Sequence, residues 1–223
     1  NKNLSIEEIR FMKPIILTKE EEIEFIFELR ETTIFFKIEL LGSKELIAQG
    51  MLHAESSQQS TSNSIKNLDF AAVSFNRDKK EFYQSFNHKG IVYGESYKLI
   101  TGSAEIENGI LIEHKDYGLQ KNKIPANRLD SIFQSLGNFF ISSKETYLPY
   151  MIKELTFISN QLPKHFYTMV KQNNDGTFRI ISFDEEGGIL LQLNQLMMKP
   201  VRNKAANSDT AFYVKETKMP VSL

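Results

Sequence analysis

The sequence predicts an α+β fold in which antiparallel strands curl around one buried helix. Three observations carry that reading. Apolar and charged residues alternate with a two-residue period in "EIEFIFEL" (22–29) and "TIFFKIELL" (33–41). Short turns rich in Gly, Asn and Asp separate most of the strand-like runs. A single long segment, "DSIFQSLGNFFISS" (130–143), repeats instead at helical spacing, with Ile132, Phe133, Leu136, Phe139 and Phe140 on one face.

Taken in order, "IRFMKPIILT" (9–18) is the first strand, followed by the two alternating runs and by "ELIAQGMLHAES" (45–56) after the turn "GSK". Together they form an antiparallel meander with one buried face. "SSQQSTSNS" (56–64) is polar and low in complexity, so it reads as a solvated linker. "DKKEFYQSFN" (78–87) has a helical pattern. Strand-like sequence then covers 91–106 and, after the turn "ENG", 109–114. Beyond the 130–143 helix come four more strands, at 147–158, 165–172, 177–184 after "NNDG", and 188–198 after "EEGG". A sheet wrapped around one apolar helix is the hotdog arrangement. The first part of the chain offers a comparable run of strands but no equivalent long helix. The divisions implied are 1–66, 67–202 and a tail at 203–223.

Composition narrows the function. The net charge is -1, without the concentrated basic excess of a nucleic-acid surface. No apolar run reaches the roughly 18–20 residues that span a bilayer, and no signal-peptide pattern is present. The chain has no Cys, which removes disulfides, thiolate chemistry and Cys-based zinc sites. The cytoplasm is the compartment expected. The 17 Phe and absent Trp point to a core of packed phenyl rings.

One carboxylate stands out. Asp130 opens a helix whose next turns are apolar or small, and Gln134 lies one turn further on the same face. One reading makes Asp130 a helix N-cap, a role in which Asp is among the best residues. The other makes it an acid facing a substrate tunnel. The four histidines, His53, His88, His114 and His165, all fall at the ends of elements among polar neighbours, which predicts solvated positions. No pair has metal-ligand spacing, and neither a phosphate-binding Gly-rich loop nor G-x-S-x-G is present.

In order along the chain, several motifs resemble the dehydratase domain of modular polyketide synthases, of the bacterial type served by separate acyltransferases. "EEIRFMKPIIL" (7–17) is similar to a family strand with a Lys-Pro pair, and "LIAQGML" (46–52) to its A-x-G strand. "FYQSFNHKGIVYGESY" (82–97) resembles the family's Y-x-x-x-x-x-x-G-x-x-Y-G-P-x-F pattern, with Glu95 in place of Pro and Tyr97 in place of Phe. "IPANRLDSIFQS" (124–135) resembles the signature D-x-x-x-Q segment, lacking a His before Pro125 and carrying one extra residue before Asp130. "YLPYMIKELTF" (147–157) is similar to the L-P-F strand of the second hotdog, and "TAFYVKETKMP" (210–220) to a strand leading toward the next domain.

The resemblance implies a double hotdog with its first half incomplete in this chain. It implies an enzyme that removes water from a β-hydroxyacyl thioester carried on the phosphopantetheine of an acyl carrier protein, with no other cofactor and no metal. Asp130 is then the acid and Gln134 orients it, while Tyr93, Gly94 and Phe133 lie against the substrate. Acyl carrier protein, neighbouring synthase domains and a second copy are the implied partners. The family's catalytic His belongs to an H-x-x-x-G-x-x-x-x-P motif that these residues lack, which suggests that the chain begins after it. A non-catalytic pseudo-dehydratase scaffold and a dehydratase-like cyclase or double-bond isomerase remain as alternatives; Asp130 speaks against pure isomerisation, where Asn is expected.

Overall fold

The computed structural model describes residues 3–13, 22–55, 73–107, 109–118, 122–201 and 212–213. The linker expected at 56–64 and most of the tail lie outside them. One antiparallel sheet dominates, in the order β2-β3-β4-β1-β9-β12-β11-β10-β8-β7-β5. Its first four strands are β1 (Asn3–Phe11), β2 (Ile23–Arg30), β3 (Thr33–Leu40) and β4 (Leu46–Glu55). The rest are β5 (Arg77–Asp78), β7 (Ile100–Ile106), β8 (Gly109–Lys115), β9 (Thr146–Phe157), β10 (His165–Gln172), β11 (Phe178–Phe183) and β12 (Ile189–Val201). Two residues of the tail form β13 (Phe212–Tyr213), parallel to β6 (Ile91–Val92).

The early and late strands meet at β1 and β9, which pair from Leu4↔Phe157 to Arg10↔Met151. β1 starts six residues before the strand expected from sequence, and residues 4–7 in that added stretch pair with both β4 and β9. β1 and β12, which flank β9, each carry one residue at positive φ, Glu8 (φ 48) and Gln195 (φ 50). In β1 the irregularity falls where the register to β4 shifts between Glu7 and Arg10. Bulges bend a strand and re-aim its side chains. Ile9 and Leu196 are thereby turned onto Ile152 of β9, while Ile6 and Leu193 pair with Leu155.

Two helices lie in the later part, α1 (Lys79–Asn87) and α2 (Ala126–Gln134), the latter continued by a 3-10 stretch Ser135–Phe140. Asp78 caps α1, its carboxylate accepting the Glu81 N–H at 2.9 Å. Ile132 and Leu136 are fully buried against Ile152, Val170, Phe178, Ile180 and Leu191 of the sheet. Phe139 and Phe140 meet Phe178 edge-on and remain partly exposed. The apolar stripe thus packs onto the sheet, which is the hotdog arrangement predicted.

The early strands differ. Phe25, Phe27 and Leu29 lie on one face of β2 and stay 56%, 61% and 71% exposed. Their cross-strand partners Ile38, Phe36 and Ile34 extend that face across β3, and Leu52, Gly50 and Ala48 across β4. The two helices described both belong to residues 79–134. Among the described residues the fold is a partial double hotdog, with the helix beneath the sheet in its later half. Among the described residues no helix is long and apolar enough to cross a membrane.

Candidate active site

α2 starts earlier than its sequence pattern suggested. Pro125 precedes its first residue at φ -68, close to the helical value, and its carbonyl accepts the Arg128 and Leu129 N–H groups at 3.1 Å each. Asn127 then ties the helix to the preceding 3-10 turn, Glu95–Tyr97, by donating to the Ser96 carbonyl at 2.9 Å. Asp130 consequently sits a full turn inside α2. It cannot be the N-cap, and its carboxylate bonds to Gln134 rather than to backbone N–H groups. The capping reading falls for that reason.

Helical geometry separates two faces. Ser131 and Ser135 are buried toward the sheet, each hydroxyl donating to a carbonyl of the preceding turn. Asp130, Phe133 and Gln134 face the other way, into a cavity of about 640 Å³. Tyr93, Phe86, Phe140, Tyr147 and Tyr150 supply much of its aromatic wall. Gly94 lies next to Tyr93 at the start of the 3-10 turn and does not contribute to that wall. Four of the five residues singled out from sequence are thus brought to one chamber.

Asp130 accepts a hydrogen bond from Gln134 Nε2 at 2.6 Å. Burial raises its pKa above the ordinary carboxylate value, and the Gln134 bond offsets only part of that rise. Tyr93 is pushed up as well, by burial and by the nearby Asp130 charge, so its phenol keeps its proton and can donate. Burial in an aromatic cavity favours the neutral form of the Asp130 carboxyl, and in that form it is equipped to give a proton to a leaving oxygen.

Tyr83 was not singled out as a site residue from the sequence. It lies on the buried face of α1, and its hydroxyl donates to Gln134 Oε1 at 2.8 Å. It is the first Tyr of the motif quoted at 82–97, but among Phe82 and Phe86 in a short helix it reads as core, and its tie to Gln134 is visible only in three dimensions. Lysines were missed too. The Lys89 ammonium donates to the Phe140 carbonyl, burial lowers its pKa, and Lys199 stands 3.2 Å over the Tyr150 ring.

None of the four histidines lines the cavity. His88 is exposed, as the sequence suggested, but the other three are not solvated surface groups. His53 is partly buried, 3.7 Å from Glu7, and His165 lies between Glu113 and Glu185 at 3.1 and 2.7 Å. His114 corrects the expectation most sharply. It is fully buried and stacked on Phe166 at 4.4 Å, with Ser135 Oγ 3.5 Å from Nε2. His114 lies two residues from Ile112, on the same buried face of β8, a spacing that its polarity masks. Among the described residues no group of three or more His, Asp or Glu side chains could hold a metal ion.

No family model matches the chain, and no curated protein matches it by sequence. Solved structures do. The dehydratase domain from the CurK module of Curacin polyketide synthase superposes with a TM-score of 0.80 at 16% identity, over 91% of this chain and 77% of that one. The same domain is also known as inactive mutants, one with an Asp changed to Asn and one with a His changed to Phe. The dehydratase domain of RzxB from Pseudomonas fluorescens gives 0.75 at 15%, over 89% and 76% of the two chains. A trans-AT PKS dehydratase domain from Brevibacillus brevis gives 0.74 at 18%, also over 89% and 76%. At these identities the likeness is one of fold, and the chain has the fold of polyketide synthase dehydratase domains.

Proposed function

We propose that this chain is the acid-bearing part of a dehydratase that removes water from a β-hydroxyacyl thioester, carried on the phosphopantetheine arm of an acyl carrier protein, to give the α,β-unsaturated thioester. The observation that carries the reading is the Asp130–Gln134 pair at 2.6 Å on an aromatic cavity wall. In the reaction a base takes the α-proton, which the thioester acidifies. The Cα–H electrons form the double bond, the Cβ–O bond breaks, and the Asp130 carboxyl protonates the departing hydroxyl. Tyr93 and Phe133 line the path of the acyl chain. The carbon chemistry needs no cofactor beyond the carrier arm. Neighbouring synthase domains and a second copy are the further partners, in the cytoplasm.

The base is proposed to come from outside these 223 residues, because all four histidines of the chain stand away from the cavity. The inactive CurK mutants, at one Asp and one His, support a pair of that kind. The same observation favours a second reading, a scaffold that holds a multienzyme together without turnover.

A β-hydroxyacyl pantetheine thioester, followed by mass spectrometry for loss of one water, tests both. The chain alone is expected to be inactive. Its parent polypeptide is expected to eliminate water, and Asp130→Asn to abolish the reaction. No elimination by the parent, with thioester binding retained, would leave the scaffold reading. Elimination by the isolated chain, abolished by Asp130→Asn, would place the base within it.

A further inference from the structure

We infer that Tyr83 is a positioning residue for Asp130, acting through the Gln134 carboxamide to fix which carboxyl oxygen carries the acid proton. The inference rests on the reading of Asp130 as the acid. It starts from two groups whose hydrogen-bonding sense has no ambiguity. The Ile100 backbone N–H can only donate, and it reaches the Tyr83 hydroxyl at 3.1 Å. The Tyr97 carbonyl can only accept, and it lies 3.1 Å from the Gln134 amide nitrogen.

Between them the direction of every bond follows. Tyr83 Oη accepts from Ile100, and its own proton goes to Gln134 Oε1 at 2.8 Å in preference to the Tyr97 carbonyl at 3.4 Å. The Gln134 oxygen is then engaged, and its NH2 group donates twice, to the Tyr97 carbonyl and to Asp130 Oδ2 at 2.6 Å. Turning the amide over would set its oxygen against the Tyr97 carbonyl, and against Asp130 whenever that carboxyl is ionised. Side-chain amide orientation is ordinarily an assignment. Here the two backbone groups decide it.

The consequence falls on Asp130. An N–H aimed at Oδ2 is best accepted by a carbonyl oxygen, so the acid form carries its hydrogen on Oδ1. Gln134 therefore does two things at once: it holds the carboxyl at the cavity wall and assigns its two oxygens different roles. Burial keeps the carboxyl above its ordinary pKa, while the Gln134 bond pulls the other way. Tyr83 sets the strength of that pull without touching the cavity, being buried at 4% exposure. Its own phenol is pushed up by burial and stays protonated, so it serves as a fixed donor rather than a titrating one.

The test is the titration of Asp130 in the chain itself, read by 13C NMR of labelled aspartate carboxyls and assigned with Asp130→Asn. Tyr83→Phe is expected to shift the Asp130 midpoint to higher pH, because a free amide donates to Oδ2 only part of the time. Gln134→Leu is expected to shift it further upward. Adding Tyr83→Phe to Gln134→Leu is expected to change nothing more, which separates action through Gln134 from a general loosening. An unmoved midpoint in Tyr83→Phe, or an equal shift in the Gln134→Leu background, would overturn the assignment. Where Tyr83→Phe does not fold, the unsubstituted chain decides. Gln134 side-chain NH2 protons giving contacts to Tyr97 support the network, and contacts from them to the Tyr83 ring edge at Oη oppose it. Because the readout is a titration, loss of the coupling refutes the role of Tyr83. Persistence of turnover in Asp130→Asn refutes the catalytic reading and leaves the coupling intact.

Discussion

Arg128, two residues before the candidate acid, donates from Nε to Asp116 Oδ2 across 2.8 Å, with both side chains almost entirely buried. The same guanidinium donates to the Leu162 carbonyl, and Gly118 N–H satisfies the other Asp116 oxygen at 2.8 Å. This pair fastens the first turn of α2 to the end of β8 and to the loop before β10. It fixes the helix that carries Asp130 and Gln134.

Removing one partner should therefore be costly. Arg128→Met is expected to lower unfolding free energy by about 3–5 kcal/mol, because it leaves a buried carboxylate unpaired. Burial acts to raise the Asp116 pKa, but the Gly118 N–H and Arg128 outweigh it and hold the carboxyl below its usual range. A depressed carboxylate contributes stability above its unfolded pKa and loses it as pH falls through the folded one. In Arg128→Met that acid-side loss should shrink, which urea titrations at several pH values would measure.

Asp130 should behave in the opposite sense. Its folded pKa is raised, so it favours folding below its unfolded pKa and loses that contribution as pH rises through the folded value. Asp130→Asn is expected to match or exceed the unsubstituted chain in thermal stability at neutral pH, with the difference vanishing in acid. A stability loss at neutral pH would show that the charge is needed to hold the helix.

His114 provides a second pH signature. Burial, with a smaller contribution from His165, lowers its pKa from 6.5 to about 3. Below 6.5 the unfolded chain binds a proton that the folded chain refuses. Stability should then fall by about 1.4 kcal/mol per pH unit down to the folded value. His114→Phe keeps a ring against Phe166 and should lack that slope. Parallel pH dependences for the two proteins would put His114 in solvent.

Gly137 lies against the Phe86 ring, which lines the cavity; a Cβ there would meet Cζ at 2.4 Å. Gly137→Ala is expected to cost about 1–3 kcal/mol through displacement of that ring. Phe86→Leu in the same chain should recover part of the loss, as measured by denaturant unfolding.

The open face of β2 makes a further check. Phe27 is 61% exposed, so Phe27→Thr should change unfolding free energy by no more than about 0.5 kcal/mol. A loss several times larger would show that this face is covered in solution.

The sequence by itself determined the local elements. Two-residue alternation specified β2 and β3, Gly-containing turns specified the hairpins that follow β3, β7, β10 and β11, and the 3.6-residue apolar stripe specified the helix beneath the sheet. The spacing of Asp130 and Gln134 placed both on one helical face, and the quoted motifs carried the likeness to dehydratases that the superpositions bear out as a shared fold. Tertiary structure decided the rest. That α2 begins at Ala126 depends on Asn127 and Arg128 finding partners at Ser96 and Asp116, far away in the chain. That His114 is buried depends on which face of β8 the sheet closes over, and polarity cannot report it. The link from Tyr83 to Gln134 spans 51 residues, and the pairing of β1 with β9 far more. Periodicity records how a segment meets the surface next to it; which distant segment supplies that surface is settled only when the chain packs.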